Sequence, residues 1–254
     1  ATTTANWTAL FARIAAMAGV PLTVIPHAAP APLEDLWRRD DLGLAFICGY
    51  PFAGGSFPVM PIAAPIPASG GGCPLYATHW VVRAQSDIAS LEDSFGRRIG
   101  WTVAHSQSGF NAPRSHLLPH WQARGPLYAE SLGPLLTPRR VIEALLADEI
   151  DIGPLDSYFY DLLRAAEPET TARLRIVETT APRPMPLLVA SGGVGEALIA
   201  QLRAALLAVH RDDDGRAMLA RLRLSGFAAV EAEAYRVLTE EAEVADRAGY
   251  LQPG

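Results

Sequence analysis

The sequence predicts an α/β fold in which mixed sheets are flanked by helices, and three observations carry that expectation. Segments with 3.6-residue apolar spacing alternate with short apolar or β-branched runs along most of the chain. Gly and Pro, 21 of each, punctuate the boundaries between them. Half of the 254 residues are hydrophobic and 19% are charged, which is enough to bury one large core or two modest ones.

Taken in order, Trp7, Leu10, Phe11, Ile14 and Met17 share one helical face, and Gly19 and Pro21 stop that helix. Leu22 to Ile25 reads as a strand, and Leu33 to Arg39 as a short helix before a buried strand, Leu42 to Ile47. A Pro- and Gly-rich stretch follows, with a strand at Val59 to Ile66, then a strand at Tyr76 to Arg83 and a helix near Ser90. Next come a strand from Arg98 to Ala104 and a helix from about Ser108 to Ala123. Thr137 opens another helix with Pro138 at its first position, where the missing N–H costs nothing. Ile150 to Leu155 and Ala172 to Thr179 read as strands, and the chain from Glu196 onward reads as almost wholly helical.

Composition excludes several functions. The net charge is −6 and no basic stripe occurs, so nucleic acid is not an expected partner. All 21 cationic residues are Arg; without Lys there is no Schiff base and no Walker-type phosphate loop. The longest apolar stretch, Leu42 to Ala68, holds nine Gly and Pro residues, so a spanning helix is not expected. No charged-then-apolar leader opens the sequence, which leaves two readings: a cytoplasmic protein, or one whose leader has been removed. Cys48 and Cys73 lack zinc or redox-motif spacing and are either two free thiols or one disulfide. His116 and His120 are four apart, but Pro119 between them and the lack of a nearby carboxylate argue against a metal site. No cofactor is expected.

In covered sheets, ligands collect at the carboxyl ends of strands, where helix N-termini also point. Four stretches fall there. In Trp101-Thr-Val-Ala-His-Ser-Gln-Ser-Gly-Phe-Asn111 a strand gives way to a helix start, where Ser106, Ser108, Gly109 and Asn111 are candidate ligand contacts. The unpaired N–H groups of such a start favour an anion; the plainer alternative is that the serines only cap the helix. Tyr50, in Gly49-Tyr-Pro51, can offer a ring face and a hydroxyl, or fill a core edge. Asp156 can accept hydrogen bonds from a ligand or cap the following helix. Thr78 and His79 sit on the Tyr76 to Arg83 strand.

These pieces, in this order, resemble the periplasmic substrate-binding proteins of phosphate/phosphite/phosphonate-type ABC transporters. The resemblance rests on Cys48-Gly-Tyr-Pro51, Tyr76-Ala-Thr-His-Trp-Val-Val-Arg83, Gly96-Arg-Arg-Ile-Gly-Trp101, His105-Ser-Gln-Ser-Gly-Phe-Asn-Ala112 and Asp151-Ile-Gly-Pro-Leu-Asp156. It implies a two-lobed type II periplasmic-binding-protein fold with two crossing strands as hinge, the first at Tyr76 to Arg83 and the second around Glu178 to Pro186. Residues 1–77 and 184–254 would form lobe 1 and residues 78–183 lobe 2, with the ligand cleft between them. It also implies a Cys48–Cys73 disulfide. Two departures stand out. Ser131-Leu-Gly-Pro-Leu-Leu-Thr137 lacks the His that the family often carries there, and only Ala1 to Thr4 stand where the family has a first strand.

The resemblance implies a monomeric periplasmic protein that captures a small polar or anionic ligand by hinge closure, for transport through an ABC permease or for sensing. The alternative is an enzyme on the same fold, a lyase or cofactor-precursor synthase acting on a carboxylated compound, with Asp156 or His79 as acid or base.

Overall fold

The computed structural model describes residues 2–28 and 31–254. In chain order the elements are α1 (Thr3–Ala18), α2 (Leu33–Trp37), β1 (Ala45–Ile47), α3 (Gly49–Ala53), β2 (Val59–Pro67), β3 (Leu75–Tyr76), β4 (Thr78–Arg83), β5 (Arg98–Gly100), α4 (Ala112–Arg124) and β6 (Glu130–Leu132). They continue as α5 (Pro138–Leu146), β7 (Ile152–Asp156), α6 (Ser157–Ala166), α7 (Pro168–Thr171), β8 (Leu174–Thr179), β9 (Arg183–Pro184), β10 (Leu187–Ser191), α8 (Glu196–Ala208), α9 (Asp213–Arg221), β11 (Leu224–Ala228) and α10 (Arg236–Arg247). A π-helical turn, Gln107–Asn111, leads into α4. The chain divides into two compact units, Ala1–Leu75 with Pro184–Ala234, and Tyr76–Arg183 with Tyr235–Gly254.

The first unit is built on an antiparallel sheet of order β1-β10-β2-β11. Helix α1 packs against α8 and α9. It does so through Leu10 and Ile14, both fully buried, and through the Arg13 guanidinium, whose Nε donates to Asp212 at 2.8 Å. Thr2 caps α1 and Gly19 ends it in the left-handed conformation, φ 65°, as its position predicts. Ala1 lies outside the described residues. Trp37 is buried, with its indole N–H on the Phe46 carbonyl at 2.9 Å.

Two expectations fail in this unit. Leu22 to Ile25 has no ladder partner among the described residues, and Val24 and Ile25 are exposed. A β-branched run flanked by Pro21 and Pro26 forms a strand only where a neighbour supplies the hydrogen bonds. The C-terminal stretch is also not wholly helical, since β11 pairs with β2.

The second unit is a five-stranded mixed sheet of order β6-β5-β7-β4-β8, with β5 parallel to β6 and β7, and β4 antiparallel to β7 and β8. Alternation along β4 divides its side chains between two cores. Trp80 and Val82 pack with Ile88, Ile99, Leu117 and Ala245 on one face, while Val81 packs with Val141, Leu145, Leu155 and Leu163 on the other. Thr137 caps α5, accepting from the Arg140 N–H at 3.2 Å.

Lobe 1, as read from the sequence, included everything from residue 184 to the end, but Tyr235–Gly254 packs within the second unit. Polar anchors explain the difference. Arg114 is 3% exposed and donates to the Asp246 carboxylate at 2.6 Å and to the carbonyls of Ala242 and Tyr250. Trp121 stacks on Tyr250 at 5.0 Å. A buried guanidinium needs such partners. The implied disulfide is not formed either. Cys48, half-buried at the start of α3, and Cys73, exposed in a Gly-rich turn, are not joined by a disulfide.

Candidate functional site

The densest group of the sequence-read residues lies in the second unit, at the carboxyl ends of β5 and β7 and the start of β4. After β5 the chain runs from Trp101 to Ser106 and then into the π turn, whose wide bonds are Asn111 N–H to Ser106 O, at 3.0 Å, and Ala112 N–H to Gln107 O. The Ser106 hydroxyl accepts from the Gly109 N–H at 3.0 Å and so caps this start. Among the described residues, the N–H groups of Gln107 and Ser108 have no backbone acceptor and the Ser108 hydroxyl has no hydrogen-bond partner. They are the free donors of a helix N-terminus, at its positive end.

Gly109 has a packing reason to be glycine, because a Cβ there would overlap the Thr102 hydroxyl. Asn111 is fully buried, and its amide donates to the Gln107 side chain at 2.9 Å and to the Leu238 carbonyl at 2.8 Å. It locks the π turn to α10. Thr78 is buried; its hydroxyl donates to the Ser108 carbonyl at 3.0 Å, and its N–H to the Thr180 hydroxyl at 3.0 Å.

Asp156 pairs across the ladder with Thr78 and caps α6, accepting from the Phe159 N–H at 2.6 Å. Burial pushes its carboxyl up to about 6, against the N–H groups of Phe159 and Tyr158, which favour the charged form. His79 points to the opposite face from Thr78. Its ring nitrogen lies 2.8 Å from the Thr179 hydroxyl and its ring stands edge-on to Tyr160; burial lowers its pKa and so favours the neutral form. The structure thus brings together Thr78, Ser106, Ser108, Gly109 and Asp156, and turns His79 and Asn111 to other tasks. Tyr50 belongs to the first unit, half-buried on the five-residue α3, and among the described residues its hydroxyl has no hydrogen-bond partner.

Sequence reading missed Gln107. It is 1% exposed and lines a small recess with Tyr76, Thr78 and Thr180; its amide nitrogen has no partner among the described residues. A long amide between the two flagged serines was the available signal. Arg183 lines the same recess but is held by Glu241 at 2.8 Å. His116 is paired with Glu178 at 2.6 Å, while His120 lies beside Phe95, so the two histidines face different partners.

A family model described as ABC transporter, phosphonate, periplasmic substrate-binding protein matches residues 1–235. A search of curated protein sequences returned no match. Among solved structures, a binding-protein component of an ABC phosphonate transporter from Pseudomonas aeruginosa aligns at 18% identity and TM-score 0.83, covering 96% of this chain and 82% of that one. PhnD1 of Prochlorococcus marinus, in complex with methylphosphonate, aligns at 16% identity and TM-score 0.79, covering 96% and 94%. A Xanthomonas citri protein bound to ATP aligns at 23% identity and TM-score 0.64, covering 95% and 92%. At these identities the structural likeness is one of fold, the type II periplasmic-binding-protein fold.

Proposed function

The chain belongs to the periplasmic substrate-binding proteins of phosphonate-type ABC transporters, and from that premise we propose that it captures a small phosphonate- or phosphate-like oxyanion at the Ser106–Ser108 turn. Membership makes it a solute-binding protein and not an enzyme, with a small molecule as ligand and a transporter permease as partner. No helix among the described residues is long and apolar enough to cross a membrane.

The observation that carries the ligand class is the helix start itself. Its Gln107 and Ser108 N–H groups lack backbone acceptors among the described residues, and the Ser108 hydroxyl stands beside them unbonded. Such a set satisfies the several acceptor oxygens of a tetrahedral oxyanion without needing a lysine. The methylphosphonate of PhnD1 and the ATP of the Xanthomonas citri protein share that phosphorus oxyanion, which supports the same chemistry here. Asp156 accepts from a hydroxyl or amine elsewhere on the ligand, and Ser106, Gly109 and Thr78 hold the turn in shape. The protein acts as a monomer in the periplasm, delivering its ligand for uptake or sensing, with no covalent step.

Thermal-shift and calorimetric titrations with methylphosphonate, inorganic phosphate and 2-aminoethylphosphonate test this, beside native mass spectrometry for a co-purified molecule. Ser108→Ala is expected to weaken ligand-induced stabilisation strongly and to leave the ligand-free Tm nearly unchanged. Undiminished stabilisation in that variant overturns the assignment.

A further inference from the structure

The second unit carries a cavity of about 720 Å³ at the far end of β4 from Thr78. A six-residue strand separates the two places by roughly 17 Å. Arg83, Gln85, Ser86, Arg97, Asp151 and Arg173 contribute to its lining. Three guanidinium groups line it, those of Arg83, Arg97 and Arg173, with the carboxylates of Asp87 and Asp151, while Arg98 and Arg175 bond to the lining residues Asp151, Ser86 and Ile88.

The arginines are not equivalent. Arg83 and Arg98 share Asp148 and Asp151, and Arg83 also donates to the carbonyls of Leu145 and Ile150, at 3.0 and 3.1 Å. Those bonds fix the floor. Arg175 donates to the carbonyls of Ser86 and Ile88, at 2.9 and 2.7 Å, so it pins the loop after β4, while among the described residues its charge meets no carboxylate in an ion pair. Among the described residues Arg97 pairs only with the exposed Asp87, at 2.8 Å, a pair that water and salt weaken. The side chain of Arg173 makes no hydrogen bond or ion pair among the described residues. A rigid polar floor with two available guanidiniums at its rim is the arrangement that takes an oxyanion by bidentate hydrogen bonds.

We propose that this cavity is a second binding site, for a small molecule carrying one or two phosphate-like oxyanions, with Arg97 and Arg173 as its ligand-contacting residues. Its volume is in the range of small-molecule pockets and exceeds what a single phosphate fills, so a diphosphate is the better fit. The site shares no residue with the Ser106–Ser108 turn.

The test is a backbone-amide NMR titration of the full chain with inorganic phosphate and with pyrophosphate, each against sodium chloride at matched ionic strength. Saturable shifts are expected at Gln85, Asp87 and Arg173, with pyrophosphate the tighter ligand. Arg97→Ala with Arg173→Ala is expected to weaken them by about tenfold or more, the loss of charge-assisted hydrogen bonds. Ser108→Ala is expected to leave these shifts in place while removing any at Ser106–Gly109, so this site and the proposed transport site fail or stand separately. Shifts reproduced by chloride, shifts that do not saturate, or an Arg97/Arg173 double variant that titrates like the wild type would each overturn the proposal. If the double variant loses its native spectrum, Arg173→Gln alone is to be read in the same way.

Discussion

The Thr78 hydroxyl donates to the Ser108 carbonyl at 3.0 Å, and the Thr78 N–H donates to the Thr180 hydroxyl at the same distance. One buried residue thus joins β4, the end of β8 and the π turn before α4. Anion-binding amides are useful only when they do not reorganise on binding, and Thr78 supplies that fixity.

Thr78→Val keeps the shape and deletes the hydroxyl. It is expected to cost about 1–3 kcal/mol of stability, because the Ser108 carbonyl loses its donor. It should also weaken oxyanion-induced stabilisation although the Ser108 hydroxyl is intact. Urea denaturation and ligand thermal shifts measure the two effects; a variant with wild-type values in both would show that Thr78 does not position the turn.

Gly109→Ala places a methyl against the Thr102 hydroxyl. Overpacking of this kind costs about 1–3 kcal/mol. Thr102→Ala in the same chain removes the blocking hydroxyl and should restore part of the loss, a non-additivity that a double-mutant cycle reads directly.

The Asp156 carboxyl ionises near pH 6 in the folded protein, above its ordinary value of 3.8. A carboxyl raised on folding stabilises the fold through its protonated form, so this contribution is complete below about pH 4 and is lost as pH rises through 6. Asp156→Asn keeps a capping oxygen but cannot ionise. Its stability relative to the wild type should therefore rise between pH 4 and pH 6, by on the order of 2–3 kcal/mol, and level off above. A flat difference across a pH series of chemical denaturation would remove burial as the cause.

Removing residues 235–254 takes Asp246, Tyr250 and the Leu238 carbonyl from Arg114, Trp121 and Asn111. The buried guanidinium and amide are then left without their partners, so hydrogen exchange should show the second unit losing protection while β1, β2 and β10 in the first keep theirs. Equal loss in both units would contradict the division of the chain.

Local signals carried far. The α1 stripe ending at Gly19, the Thr137–Pro138 helix start and the strand at Val59 to Ile66 rest on spacing and capping, which act within a few residues, and all three are present. Ser106 was legible as a cap for the same reason. What could not be read depends on partners distant in sequence. Asn111 was read as a ligand contact near a helix start, and only its bond to Leu238, 127 residues away, shows it turned inward and buried. Thr78 and His79 looked alike until β4 was seen between two cores. Leu22 to Ile25 has the composition of a strand, and composition cannot supply a neighbour.

The path of the backbone through the two units governs how the protein can be made. The first unit needs β10 and β11, beyond residue 184, to complete its sheet, and the second needs the final twenty residues to neutralise Arg114. The second unit's sheet and one of its cores lie within residues 76–183, but the core around Trp80 waits for Ala245 and Tyr250, and the first sheet waits for β10 and β11. Completion of both units therefore falls late in synthesis, after the stretch between them has been made.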